Sequence, residues 1–261
     1  MCYGGRSKEG ITMNKRHGQI LELLSHHHRL EVSKLSQILN VSQVTIRKDL
    51  KILEEAGMLI RVHGFATLSD VADINQRLAF NYESKLKIAQ KAAELIQNSE
   101  TIMIESGSCC ALLAMEIAKT KKDITMITNS AFIADYIRKS SQVKVILLGG
   151  EYQKESQVMV GPMTKKCVEA FYVDKLFIGT DGYTVETGFT GNDYMRSIAV
   201  NDMARQASHV IVVTQSSKFN QKGVVNLLDT SKISTVITDD QIAENMMNHF
   251  ENININIITT K

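Results

Sequence analysis

Two stretches of this chain set chemically capable residues at usable spacings. The first runs Ser42-Gln43-Val44-Thr45-Ile46-Arg47-Lys48-Asp49-Leu50-Lys51. Ile46, Leu50 and Leu53 recur at helical period and form an apolar stripe; Lys48 and Lys51 lie roughly opposite it, and Thr45 and Arg47 flank it. Cations, hydroxyls and amides on the outer face are the donors that phosphates and base edges accept from, while a merely solvated amphipathic helix would show the same pattern. The second stretch is Glu105-Ser106-Gly107-Ser108-Cys109-Cys110, a run of small residues between an apolar strand and a helix. Free backbone amides, hydroxyls and the positive end of a helix dipole converge in such a turn, and together they suit a phosphate.

Other strand-to-helix connections carry polar or glycine-rich groups: Thr128-Asn129-Ser130, Gly149-Gly150, Gly179-Thr180-Asp181-Gly182 and Ser216-Ser217-Lys218. In open parallel sheets ligands bind beyond the carboxyl ends of the strands, so these loops form one candidate site. Neither GxxxxGK nor GxGxxG occurs, which argues against a nucleoside-triphosphate or dinucleotide site. Cys2, Cys109, Cys110 and Cys167 form no CxxC pair, and His26, His27 and His28 are adjacent rather than spaced to share a helix face. No metal and no cofactor is expected.

The elements that must position these groups fall into two blocks. Helices are expected from Lys15 to the His run at 26–28, with Ile20, Leu21, Leu23 and Leu24 apolar, and from residue 31 or 32 through 39, with Leu35, Ile38 and Leu39 buried. Asn40-Val41 then turns the chain into the basic helix, with Ser42 as N-cap and Gly57 as terminator. Two short β-prone runs around Gly64 follow, so residues 14–68 read as a winged helix-turn-helix, with Arg61 and His63 on the wing. Residues 1–13 read as a disordered extension and 69–83 as a linker. From residue 84 to 261 helices and apolar strands alternate, with strands expected at 101–104, 124–128, 143–148, 175–178, 210–214, 235–238 and 255–258. Helices are expected at 85–96, 111–119, 131–138, 162–171, 194–207 and 240–250, with Pro162 at a first helical position. That alternation describes a larger, mostly parallel α/β domain.

Composition agrees with a globular chain: 44% hydrophobic and 22% charged residues. No apolar run reaches the length of a membrane span, and the expected address is the cytoplasm. Through Leu68 there are ten lysines and arginines against six carboxylates, and beyond it twenty against twenty-two, so the basic surplus belongs to the N-terminal block.

At residue level the N-terminal block resembles the winged helix-turn-helix of the DeoR family of transcription regulators. The matching residues are Arg16, Ile20, Leu24, Leu35, Val41-Ser42, Thr45 through Leu50, Leu53, Gly57 and Arg61-Val62-His63-Gly64; Phe65 stands where the family usually has a second glycine. Gly179-Thr180-Asp181-Gly182 and Ser216-Ser217-Lys218-Phe219 resemble the effector domain of the same family, which is related in fold to ribose-5-phosphate isomerase and binds phosphorylated sugars. The resemblance implies that Ser106 to Cys110 hold the phosphate, Asp181 meets sugar hydroxyls and Lys218 supplies a cation. It implies a repressor that binds double-stranded operator DNA under control of a phosphorylated sugar, as a homodimer or homotetramer. A sugar-phosphate isomerase or deaminase of the same fold is the alternative, and the N-terminal module, which an isomerase does not need, speaks against it.

Overall fold

The computed structural model describes residues 15–27, 29–55, 59–62, 64–67 and 74–260. The expected extension, Gly57 and His63 lie outside them. The chain divides into two compact units, Met1–Glu83 and Ser84–Lys261.

The first unit opens with α1 (Lys15–His27), β1 (Arg29–Glu31) and α2 (Val32–Ile38). Helix α2 buries Val32 and Leu35, whereas Ile38, expected inside, is 44% exposed and Leu39 is half-buried. At about 100° per residue, position 38 lies about a quarter-turn off the stripe that 32, 35 and 39 define. The turn that follows is closed by its own backbone. Val41 N–H donates to the Ser36 carbonyl at 3.1 Å, the Ser36 hydroxyl returns a bond to the Val41 carbonyl at 2.6 Å, and Asn40 takes a left-handed φ of 50°. Helix α3 (Gln43–Glu55) comes next, followed by β2 (Ile60–Val62) and β3 (Phe65–Thr67). The wing is a three-stranded antiparallel sheet in the order β1-β3-β2 rather than a lone hairpin. Gly64 turns it at φ 83°, a conformation that favours glycine. Part of the expected linker is helical: α4 (Ile74–Ala79) buries Ile74, Leu78 and Ala79.

The chain enters the second unit along α5 (Tyr82–Ala93). Then come β4 (Thr101–Ile104), α6 (Ser108–Thr120), β5 (Ile124–Thr128), α7 (Ala131–Tyr136) and β6 (Val143–Leu147). A hairpin of β7 (Glu151–Gln153) and β8 (Val158–Val160) precedes α8 (Pro162–Val168) and β9 (Val173–Ile178). After β10 (Gly182–Thr184), β11 (Gly188–Gly191) and α9 (Tyr194–Ala204) come β12 (Ala207–Val213), β13 (Val225–Leu228), β14 (Ile233–Thr238), α10 (Glu244–Asn252) and β15 (Asn256–Thr259).

Seven strands form one wholly parallel sheet in the order β15-β14-β12-β9-β4-β5-β6. In the five inner strands residues such as Met103, Ile127, Leu176, Val212 and Val236 are fully buried, as a sheet covered on both faces requires. From β4 the chain winds outward through β5 to β6, then returns to the other flank of β4 and winds the opposite way through β9, β12, β14 and β15. The winding therefore reverses between β4 and β9, and the loops leaving these two strands border the crevice where open α/β sheets take ligands. The β10-β11-β13 sheet and the β7-β8 hairpin, both antiparallel, were not expected. Their strands are three or four residues long, and the first of these sheets is rich in glycine and threonine, too short and mixed to show a period. Among the described residues no helix is long and apolar enough to cross a membrane.

Candidate nucleic-acid interface and effector crevice

In the first unit, Ser42 starts α3: its hydroxyl accepts from the Thr45 N–H at 3.2 Å and pairs with the Thr45 hydroxyl at 2.9 Å. The buried stripe contains Ile46, Leu50 and Leu53, and also Asp49. Asp49 is a charge at a core position, and it is held there by partners. The Arg16 Nε donates to one carboxylate oxygen at 2.6 Å, and its Nη2 to the other at 3.1 Å; His17 Nε2 lies 3.2 Å away. This bidentate clamp fixes the roll of α3 against α1, so the outer face of α3 points in a set direction. Burial lowers the His17 pKa from its ordinary value, against the pull of Asp49.

On that outer face Gln43, Lys48 and Lys51 are exposed, and Arg47 donates through Nη2 to the Gln43 Oε1 at 3.1 Å. Lys51 stands 4.0 Å from Glu55. Arg61 on β2 is engaged by Glu54: its Nε donates to a carboxylate oxygen at 2.7 Å, and this bond holds the Glu54 pKa below the ordinary range. The wing is further tied by the Arg29 guanidinium, 3.9 Å above the Phe65 ring, a cation–π contact.

In the second unit, the turn after β4 and the turn after β9 touch. A Cβ on Gly107 would stand 3.4 Å from the Gly179 Cα, so both glycines permit a close backbone approach. The two turns are strapped by Glu105. One carboxylate oxygen accepts from the Gly107 N–H at 3.0 Å and the Gly179 N–H at 3.3 Å, and the other from the Ser106 hydroxyl at 2.6 Å. Glu105 thus organises the crevice from below, and it occupies amides that the sequence left open for a phosphate. Cys110 is fully buried, its thiol directed at the Phe177 carbonyl 3.7 Å away, and burial raises its pKa well above the ordinary value. It belongs to the packing of α6.

Cys109 marks where the charges gather. Burial pushes its thiol up to about 11, the cations of Lys85 and Lys218 pull it down, and Asp239 pushes it up. Lys218 sits on the short turn Ser216–Lys218 after β12, Asp239 follows β14, and the buried Lys85 is on α5, so groups from three separate elements act on the first turn of α6. Asp239 binds the loops together by accepting from Ser216 N–H at 3.0 Å, Gln241 N–H at 3.2 Å and the Ser84 hydroxyl at 3.3 Å. Gln215 also donates to the Ser84 hydroxyl, at 3.3 Å. Sequence reasoning found Lys218 and missed Lys85, Ser84 and Asp239. Lys85 reads as an ordinary helix start, and nothing local shows that its ammonium is buried.

The remaining candidates divide. Thr128 accepts from the Ser130 N–H, Ser130 caps α7 through the Ile133 N–H, and Asn129 donates to the Met159 carbonyl, so this trio pins β8 beside the sheet. Gly149 accepts from the Thr164 hydroxyl at 2.8 Å, and Gly150 has no room for a side chain, since a Cβ would lie 2.1 Å from Thr164 Oγ1. Asp181 accepts from the Asn192 N–H at 2.8 Å and stands 4.0 Å from Arg196, a residue not foreseen; Gly182 packs under the Gln221 carbonyl. Among the described residues no group of His, Cys, Asp and Glu has the arrangement of a metal site.

Comparison with known proteins follows this division of the chain. The profile of the DeoR-like helix-turn-helix domain matches residues 16–71, and that of the DeoR C terminal sensor domain matches residues 80–240. A putative aga operon transcriptional repressor of Escherichia coli O157:H7 is 28% identical over 94% of this chain and 93% of its own. An uncharacterized HTH-type transcriptional regulator, FruR, of Bacillus subtilis (strain 168) is 34% identical over 79% and 83%, and the glycerol-3-phosphate regulon repressor of Escherichia coli (strain K12) 28% identical over 88% and 92%. Among solved structures, ribose 5-phosphate isomerase A of Methanocaldococcus jannaschii aligns over 53% of this chain and 55% of its own, with TM-score 0.39 and 20% identity, too low to carry functional weight.

Proposed function

The chain belongs to the DeoR family of transcriptional regulators, and from that membership we propose that it represses a carbohydrate uptake or catabolism operon, its operator affinity set by a phosphorylated sugar. It is a DNA-binding regulator and not an enzyme, as its relatives are named. The observation that carries the effector reading is the convergence of Lys85 and Lys218 on the first turn of α6, beside the reversal between β4 and β9. Two ammonium groups and a helix N-terminus offset the charge of a phosphate dianion, and the protonated Cys109 thiol adds no negative charge. Ser106, Gly107 and Ser108 line this corner, and Asp181 with Arg196 supplies an acceptor and donors for sugar hydroxyls. One relative is named for glycerol-3-phosphate, a small phosphorylated polyol, which supports a ligand of this class.

On the DNA side, Ser42 at the start of α3 and Gln43, Thr45, Arg47, Lys48 and Lys51 on it approach the major groove, with Arg61 of the wing on the flanking backbone. The regulator works as a homodimer or homotetramer, because one winged helix covers too little of an operator for useful specificity.

Calorimetric titration of the full chain with a panel of sugar phosphates, and with the same sugars lacking phosphate, tests the effector reading. One phosphosugar is expected to saturate the protein and its free sugar to give no heat. Lys218→Ala is expected to weaken that binding about 10-fold or more, as loss of a charge-assisted hydrogen bond does. Equal binding of phosphorylated and free sugar, or an unaffected Lys218→Ala variant, would overturn it.

A further inference from the structure

The outer face of α3 is cationic and polar except at one position. Val44 is 58% exposed. At about 100° per residue it lies with Lys48, Lys51 and Glu55 on the side opposite Ile46, Asp49, Leu50 and Leu53. It therefore occupies the middle of the face that the Arg16–Asp49 clamp aims outward, about one turn ahead of Lys48 and two ahead of Lys51. Its polar neighbours are occupied within their own helix. The Thr45 hydroxyl is paired with Ser42, and the Gln43 carbonyl oxygen accepts from Arg47.

A valine held in that place offers only methyl groups, and the lysines beside it favour a polyanion over an apolar protein surface. In the major groove the one apolar feature on a base edge is the thymine C5-methyl. The residues of a recognition helix that reach base edges are those of its N-terminal part, and Val44 is the second residue of α3. We infer that Val44 is a specificity-determining residue that packs on a thymine methyl in each operator half-site. The inference rests on the reading of α3 as the groove-entering helix.

The test begins with duplexes that the full-length wild-type protein selects from a random-sequence pool. Each thymine of the selected site is then replaced singly by deoxyuridine, which lacks only the methyl. For wild type, one thymine per half-site is expected at which this change weakens binding about 4-fold, the equivalent of about 0.8 kcal/mol for one buried methyl-sized group. Val44→Ala, at an exposed position, is expected to keep the wild-type melting temperature. It should bind the thymine-containing site about 4-fold more weakly per half-site and be indifferent to uracil there.

Wild-type binding that ignores uracil at every position overturns the inference. So does a Val44→Ala protein that retains the full uracil penalty, because another residue then reads the methyl. Lys51→Ala separates this failure from failure of the premise. If α3 faces DNA, that variant loses affinity on all sequences and its salt dependence falls by about one unit of slope; if neither changes, α3 is not the reading helix.

Discussion

Asp49 is the residue on which the geometry of the DNA-binding unit turns, because it is a carboxylate in the otherwise apolar buried stripe of α3. Removing it leaves Arg16 and His17 without the group they share, and Arg16 is one-third exposed, so water recovers part of the loss. Asp49→Ala is expected to destabilise this unit by on the order of 2 to 4 kcal/mol, read from urea unfolding, with operator affinity falling alongside. His17 adds a pH dependence. Its native pKa lies below the ordinary 6.5, so on acidification the unfolded chain takes up a proton at His17 before the folded one does. Stability is therefore lost as pH falls below about 6.5, by at most about 1.4 kcal/mol per pH unit from this group. His17→Gln keeps a donor for Asp49 without titrating; the melting temperature of this variant should depend less on pH between 7 and 5.5 than that of wild type. Neither role was legible in the sequence. The apolar stripe of α3 shows its period without Asp49, and the partners lie more than thirty residues away on another helix.

At the scale of elements, Glu105 distinguishes two views of the β4–α6 turn. If its charge merely opposed a bound phosphate, Glu105→Ala would tighten effector binding. The carboxylate instead straps two turns through the Gly107 and Gly179 amides, so the variant is expected to weaken phosphosugar binding in calorimetry and to lower the melting temperature by a few degrees. The seven parallel strands were legible because each is a short run rich in apolar β-branched residues between polar loops, and their expected bounds fall within a few residues of the observed ones. Strand order was not legible. The reversal between β4 and β9, which gives the Ser106 and Gly179 turns a common crevice, depends on long-range pairing that local periodicity does not encode. The same limit explains why Lys218 was found through its motif while Lys85 and Asp239, brought in by α5 and β14, were missed.

For the whole molecule, the chain divides into a DNA-binding unit and an α/β unit, so the proposed effector control would be a coupling between two sites. Sedimentation of the full chain at micromolar concentration is expected to give a dimer or tetramer, because paired half-sites need paired modules. A monomer, both free and on its operator, would contradict that part of the proposal. A ligand shifts operator affinity only through unequal affinity for the DNA-competent and DNA-incompetent states, and such couplings are usually about 1 to 3 kcal/mol. Effector control from the β4–α6 turn is tested by an operator titration with and without the phosphosugar that calorimetry identifies, using wild type and Ser108→Asp. Ser108 opens α6, where an added carboxylate would fill and repel the phosphate corner while leaving α3 untouched. Wild-type operator affinity is expected to change about 5- to 150-fold on adding the phosphosugar. Ser108→Asp is expected to bind the operator as wild type does and to show no change. A Ser108→Asp protein that responds at wild-type concentrations of the phosphosugar would remove the effector from this crevice.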